Sequence, residues 1–258
     1  MTAFYLPVRP GVLQPTEHTV GPWVETDQHA GPPSALLVRA LEGVLPAPGP
    51  AAGWLARVSV DLLSPIPVKE LAVTARVVRP GRSVQLAEAE LAVDGRPVAR
   101  ATGWWHRYGD TAAAATTAPP APEVPARAQP EEGPWACGYL GAMEWRWVRG
   151  HFSEPGPAAV WTRMRVPLVE GEQPTATQRI LTTADSGNGV SSALPLRSWL
   201  FVNTELTVHL LRPPTGEWVC LDAVTEIGPT GGGLAVSRLS DPAGLVGHGA
   251  QALLVRPR

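Results

Sequence analysis

His209-Leu210-Leu211-Arg212-Pro213 repeats Asp61-Leu62-Leu63-Ser64-Pro65 at a separation of 148 residues, and this pair of segments decides the fold. The same offset sets Leu86 on Leu234, Leu91 on Leu239 and Val98 on Val246. The Asp94-Gly95 turn answers Asp241-Pro242-Ala243 within one residue. A constant offset through successive strand-like segments identifies two copies of one unit, a duplication rather than a solenoid.

Around the first segment the pattern has a period of two. Ala56, Val58, Val60 and Leu62 alternate with Arg57, Ser59, Asp61 and Leu63, a half-buried strand that stops at Pro65 and Pro67. Leu71 to Val78, Val84 to Val93 and Val98 to His106 read as three more strands. Pro80-Gly81 and Asp94-Gly95 supply the turns between them, the second being a strong hairpin signal. Upstream, Pro7, Pro10, Gly11, Pro15 and Pro22 leave room only for short strands, and Trp23 to Thr26 reads as one. Pro32-Pro33-Ser34 then opens an apolar helix that runs to about Val44.

The second copy has the same order. Met143 to Val148 and Ala159 to Val166 are strand-like, a helix runs from about Pro174 to Asp185, and Ala193 to Trp199 suits a short helical turn. Leu200 to Leu211 alternates as a single strand, followed by Trp218 to Ile227, Gly233 to Leu239 and Leu245 to Val255. One core helix ahead of a long antiparallel sheet, twice over, is an α+β architecture. Between the copies, residues 109–134 are Ala, Thr, Pro and Glu with almost no large apolar side chain, a composition that cannot bury a core. The expected organisation is therefore 1–108, a linker over 109–134, and 135–258.

The second helix ends Ile180-Leu181-Thr182-Thr183-Ala184-Asp185-Ser186-Gly187-Asn188-Gly189. Ala176, Ile180 and Ala184 fall at helical spacing and Leu181 widens the apolar stripe. Asp185, four residues after Leu181, thus comes to the edge of the buried face. Ser-Gly-Asn-Gly has the turn chemistry to stop the helix there. Taken alone, an acid in that place is a solvated helix end.

A formal net charge of -2 over 258 residues excludes the strong basic field of a generic nucleic-acid binder. No apolar run approaches membrane-spanning length and no leader pattern is visible, so a cytoplasmic protein without a membrane partner is expected. Cys137 and Cys220 are too few and too far apart for a disulfide framework or a zinc site and read as buried free thiols. No His, Cys and carboxylate cluster has metal spacing, and no Gly-rich phosphate loop precedes a helix. Neither a metal nor a cofactor is expected. Trp104-Trp105, Trp145 and Trp147 read as core or interface residues.

With Gly21-Pro22-Trp23, His29-Ala30-Gly31-Pro32-Pro33, Ala184-Asp185, Phe201 to Pro213 and Ala250-Gln251, the chain resembles the double-hotdog acyl-CoA thioesterases, above all the bacterial thioesterase II branch and its actinobacterial relatives. The resemblance covers nearly the whole chain. It implies a tandem (double) hotdog fold, with two antiparallel sheets each wrapped around a central helix and an acyl-CoA site where paired units meet. It further implies an Asp, a Thr and a Gln around one water. Asp185 and Gln251 occupy two of those places. The third, nine residues before the Arg of Arg212-Pro213, is Asn203 instead of Thr, and the neighbouring Thr204 should face away.

Thioester hydrolysis without a Ser or Cys nucleophile needs a positioned water, a proton acceptor and oxyanion donors. Asp185 suits the acceptor, and the Asn203 and Gln251 amides can hold and aim a water. The resemblance places the oxyanion donors at the N-terminus of the first helix, near His29, Ala30, Gly31 and Ser34. Pro32 and Pro33 lack an N–H, so the donor should lie at or before Gly31, or at Ser34. No Gly-x-Ser-x-Gly elbow supports a Ser nucleophile. The activity expected is therefore that of an acyl-CoA thioesterase forming a homodimer or larger homo-oligomer. The alternatives are a non-hydrolysing acyl-CoA-binding protein, with Thr replaced by Asn at the site, and an enoyl-CoA hydratase or dehydratase. The last is disfavoured because Asp27-Gln28-His29 has the wrong spacing for the hydratase motif.

Overall fold

A computed structural model describes residues 3–46, 52–127 and 136–258. The chain opens with a hairpin of β1 (Tyr5–Arg9) and β2 (Val12–Pro15), turned at Gly11 with a φ of +74°. α1 (Gly31–Val44) follows, then β3 (Gly53–Leu62), β4 (Leu71–Arg79), β5 (Val84–Val93) and β6 (Arg96–Arg107). Asp94 and Gly95 both have positive φ, 51° and 76°, as the tight hairpin turn between β5 and β6 requires.

The second half runs through a short α2 (Gly138–Gly141), β7 (Met143–His151), β8 (Glu154–Met164) and α3 (Ala176–Ala184). It continues with a single helical turn α4 (Gly187–Val190), then β9 (Trp199–Asn203), β10 (Glu205–Leu210), β11 (Val219–Ile227), β12 (Gly232–Asp241) and β13 (Gly244–Pro257).

Among the described residues the strands form one 13-stranded sheet, ordered β1-β2-β4-β5-β6-β3-β10-β13-β12-β11-β8-β7, with β9 also paired to β13. The two halves of this order are mirror images in sequence terms. The sequence led us to expect two separate sheets. They are fused because β3 pairs antiparallel with β10, Ser59 facing Thr207. Those two residues are equivalent positions of the repeat, so an approximate two-fold axis passes between them.

On the inner side of this sheet α1 packs against β4, β5 and β6, and α3 with α4 packs against β8 and β10 to β13. Leu36, Leu37 and Leu41 of α1 and Ile180 and Leu181 of α3 are fully buried. The helices also pack on each other. A Cβ on Gly31 would lie 2.3 Å from Thr182 O, so the start of α1 touches the end of α3 at a contact only glycine permits. At the opposite ends Glu42 accepts hydrogen bonds from Gln178 Nε2 at 2.7 Å and Thr175 Oγ1 at 2.9 Å, and Arg39 pairs with Glu172.

Several local expectations change. Residues Trp23 to Thr26 are a loop, not a strand; Asp27 N donates to Val24 O and Val24 is exposed. α3 starts at Ala176 under a Thr175 and Gln178 capping box, and Asp185 is its C-cap. The chain does not leave the helical path there but continues into α4, where Gln251 Oε1 accepts the Asn188 N–H at 3.1 Å. Over Pro195–Trp199 there is a turn, closed by Ser198 N and Trp199 N donating to Pro195 O.

The expected strand Leu200 to Leu211 is split at Thr204, and this has the largest consequence. Phe201 is buried before the break, whereas Leu206, Val208 and Leu210 are buried after it, so the in–out phase reverses through one extra residue. The equivalent position in the first copy, Ala56, sits at the register shift between β3 and β6.

Residues 109–127 of the expected linker run over the surface, held by Trp161 Nε1 donating to Pro122 O and Arg146 Nη1 to Pro125 O. The remainder, 128–134, lies outside the described residues. Cys220 is buried, Cys137 half-buried, and both are free thiols. Among the described residues no helix is long and apolar enough to cross a membrane, and no group of three or more His, Cys, Asp and Glu could hold a metal ion.

Candidate active site

The phase reversal at Thr204 turns the Asn203 side chain inward, beside Phe201, toward the end of α3. Asn203 Nδ2 donates to Asp185 Oδ1 at 2.9 Å and to Glu205 O at 3.3 Å. Thr204 is exposed on the other side, its hydroxyl near Ala252 O. Gln251, 1% exposed in β13, donates from Nε2 to Asp185 O at 3.0 Å and lies 3.5 Å from Asp185 Oδ1. The three polar residues thus meet. Both amides are directed at Asp185, and Gln251 Oε1 is occupied by Asn188 N.

The second carboxylate oxygen faces the other half of the chain. Asp185 Oδ2 lies 3.1 Å from His29 Nδ1, in the segment that leads into α1. The imidazole is stacked on the Tyr139 ring with centroids 3.7 Å apart and planes 9° from parallel. Tyr139 is fixed in turn: its hydroxyl donates to Thr182 O at 2.8 Å and meets Ser186 Oγ at 2.9 Å. Asp185 is 4% exposed and the His29 side chain 13%. Burial lowers the pKa of His29 below the ordinary imidazole value, and the Asp185 charge opposes that shift. Burial drives the Tyr139 hydroxyl far up, so it remains a neutral donor.

The Gly31 N–H points at His29 Nδ1, 3.1 Å away. A single ring nitrogen can accept from Gly31 or donate to Asp185, and the two tautomers differ in which nitrogen holds the proton. Ser34 is turned into its own helix, with Oγ and N both donating to Ala30 O. Of the backbone donors anticipated at or before Gly31 or at Ser34, the Ser34 N–H is taken up by Ala30 O, and the Gly31 N–H is taken up only in the tautomer in which Nδ1 accepts. Ala30 is the N-cap of α1 and uses no side-chain cap.

Beside the pair lies a cavity of about 30 Å³, bounded by Pro22, Trp23, His29, Leu140, Phe152, Ser186, Asn188 and Gly189. That is room for at least one water molecule, which needs roughly 10–15 Å³ of such space. A larger open groove of about 610 Å³ runs past Pro10, Gly43 and Glu172 on the far side of α1, where Arg39 and Glu172 close on each other.

Sequence reasoning missed Tyr139, and nothing in Cys137-Gly138-Tyr139-Leu140 marks it. Its role arises because Gly138 backs onto Glu17 O so closely that any Cβ there would clash.

The polar set occurs in one copy only. At the repeat offset Asn203 and Gln251 correspond to Leu55 and Gly103, and a Cβ on Gly103 would lie 2.8 Å from Leu55 Cδ2 and 2.9 Å from Leu41 Cδ1. Where the second half presents Asp185, Asn203 and Gln251, the first half is packed with leucine.

Comparison with known proteins shows the family and the fold. The chain matches the acyl-CoA thioesterase N-terminal domain over residues 19–106 and the acyl-CoA thioesterase C-terminal domain over residues 115–255. Its structure is similar to a conserved hot dog fold protein of Alicyclobacillus acidocaldarius, at a TM-score of 0.74 and 17% identity over 95% of this chain and 92% of that one. It is also similar to an acyl-CoA thioesterase II of Mycobacterium marinum, at a TM-score of 0.67 and 14% identity over 98% and 95%. No curated protein matches by sequence.

Proposed function

The chain belongs to the acyl-CoA thioesterase family and is a thioester hydrolase; from this we propose that it hydrolyses an acyl-CoA to the free acid and CoA by direct attack of a water at the Asp185 site. The observation that carries the reading is the Asp185 carboxylate itself. It is nearly buried, it faces two amides and an imidazole, and that imidazole, His29, lines a small cavity. Asp185 supplies the negative charge on which activation of the attacking water depends. Asn203 and Gln251 hold the carboxylate in place rather than the water. His29, Ala30 and Gly31 form the first-half wall that faces the thioester, and Ser34 contributes packing.

In this reading the chain comprises two units, 1–108 and 135–258, joined by 109–134, and together they make one double hotdog with one active site. A homodimer or larger homo-oligomer, placed in the cytoplasm, is part of the same reading. Its support is the exposed apolar set Val224, Leu234, Val236 and Leu254 on the outer sheet face.

The test is free-thiol release from acyl-CoAs of graded chain length by the purified chain. Turnover on at least one chain length is the expected result. Saturable acyl-CoA binding with no thiol release would establish a binding protein instead, and hydration of an enoyl-CoA would replace hydrolysis altogether.

A further inference from the structure

Both oxygens of the Asp185 carboxylate already have partners. Asn203 and Gln251 approach one carboxylate oxygen and His29 Nδ1 faces the other. The cavity is lined by His29, Ser186 and Asn188, and not by Asp185, Asn203 or Gln251. His29 lines the cavity, whereas Asp185 and Gly31, which its Nδ1 faces, do not. Among the described residues its Nε2 makes no hydrogen bond, while its Nδ1 edge is turned to Asp185 and Gly31. The ring cannot swing away, because Tyr139 lies flat against one face and is itself anchored at both Thr182 and Ser186.

We propose that His29 is the catalytic base and acid of this enzyme, acting through Nε2 on a water in the adjoining cavity, with Asp185 as the positioning residue at Nδ1. This deepens the thioester hydrolysis proposed above and rests on it. Base and orienting acid come from different copies of the repeat, His29 ahead of α1 and Asp185 at the end of α3.

The steps balance as follows. With the Nδ1 proton directed at Asp185, Nε2 holds a free lone pair. The water oxygen bonds to the thioester carbonyl carbon while Nε2 takes one water proton, and the carbonyl π electrons move onto oxygen. The tetrahedral intermediate then collapses and the C–S bond breaks. Nε2 returns its proton to the departing sulfur, so that CoA leaves as a thiol and His29 is neutral again. The carboxylic acid formed loses its remaining proton to solvent. No external reductant or cofactor enters. The arrangement follows the logic of an acid–imidazole pair in which the acid fixes the tautomer and the imidazole handles the proton, with water in place of a side-chain nucleophile.

The charged and titratable groups around His29 are Asp185 from α3 and the Tyr139 hydroxyl from α2, with the Cys137 thiol next beyond it. Burial lowers the imidazole pKa, which keeps the base form populated on the acid side of neutrality.

The experiment compares thiol release by wild type, His29→Gln and His29→Ala, the last with and without added imidazole, alongside a melting curve for each. Both variants should lose roughly 10²- to 10⁴-fold in kcat with little change in KM. Imidazole should restore His29→Ala by tenfold or more and leave His29→Gln unchanged, an effect that a packing role for the ring would not produce. In wild type the acid limb of kcat/KM should fall below the ordinary imidazole value of about 6.5. Folded His29 variants that turn over within about threefold of wild type, while Asp185→Asn is inactive, would overturn the inference and leave hydrolysis by Asp185 standing. Loss of activity in His29→Ala without any imidazole rescue would likewise overturn it. Absence of thiol release by wild type would remove the functional reading itself, and the inference with it.

Discussion

Asn203 Nδ2 and Asp185 Oδ1 stand 2.9 Å apart, joined across the break between β9 and β10 that turns Asn203 inward. A hydrogen bond to a charged group of this kind contributes about 1.5–3 kcal/mol. Asn203→Ala should therefore lower kcat by roughly 10- to 100-fold, with KM changed far less. Asn203→Asp is the sharper probe. A second carboxylate beside Asp185 adds negative charge near His29 and favours its protonated form, so the acid limb of the pH–rate profile should move to higher pH. An Asn203→Ala variant with wild-type kcat would show that the contact is structural only.

Gln251 links Asp185 O and Asn188 N while being almost fully buried. Gln251→Leu keeps the volume but strands both backbone groups. The expected loss is roughly 2–6 kcal/mol of stability, from two groups at about 1–3 kcal/mol each. Urea denaturation of the variant measures it, with activity falling in parallel because α4 loses its register against β13.

Gly31→Ala places a methyl 2.3 Å from the Thr182 carbonyl. Both partners are backbone in buried helices, so neither can give way without separating α1 from α3. Overpacking of this kind costs about 1–3 kcal/mol. The melting temperature should drop, and turnover should drop more steeply than stability, since His29 and Asp185 are carried on the two elements pushed apart.

Away from the site, Arg212 Nη1 and Nη2 donate to Asp241 at 2.7 and 2.5 Å. Asp241 also accepts from Thr215 N, Thr215 Oγ1 and Ala243 N. Burial pushes the Asp241 carboxyl pKa up, but Arg212 and the other donors outweigh it and hold it below the ordinary carboxylate range. A depressed folded-state pKa stabilises the protein above the unfolded value of about 3.9, and this contribution disappears as pH falls through the lower folded value. Asp241→Asn should cost roughly 2–4 kcal/mol near neutral pH, less than a fully buried pair because Arg212 is 32% exposed. Thermal melts from about pH 6 down to about pH 2.5 should show the gap between wild type and variant narrowing as the acid is titrated.

Much of the fold was legible because the repeat is written in side-chain identity. The 148-residue offset that sets Asp61 on His209 also sets Ser59 on Thr207, and these two meet at the centre of the sheet, Thr207 Oγ1 donating to Ser59 Oγ at 3.1 Å. That the two sheets fuse there was not legible. Alternation shows which face of β3 or β10 is buried, not which strand lies along its edge. The split at Thr204 was hidden for a related reason. A bulge is one residue of register against a partner strand, and Leu200 to Leu211 reads as an unbroken strand by itself.

At the site, the apolar stripe placed Asp185 at the edge of the buried face, but the resemblance to the thioesterases is what picked out Asp185 and Gln251 as site residues. Asn203 was identified too, but the phase reversal that brings its amide against Asp185 was not legible. His29 was expected at the substrate wall, but its contact with Asp185 joins the two halves of the chain and has no local signature. Tyr139 had none either, being positioned by a backbone approach at Gly138.

The most direct measurement is the rate of thiol release from an acyl-CoA by Asp185→Asn beside wild type, both confirmed folded by their melting curves. The account predicts a loss of roughly 10²- to 10⁴-fold in kcat, because the charge on which water activation depends is gone. An Asp185→Asn enzyme that turns over at the wild-type rate would contradict it.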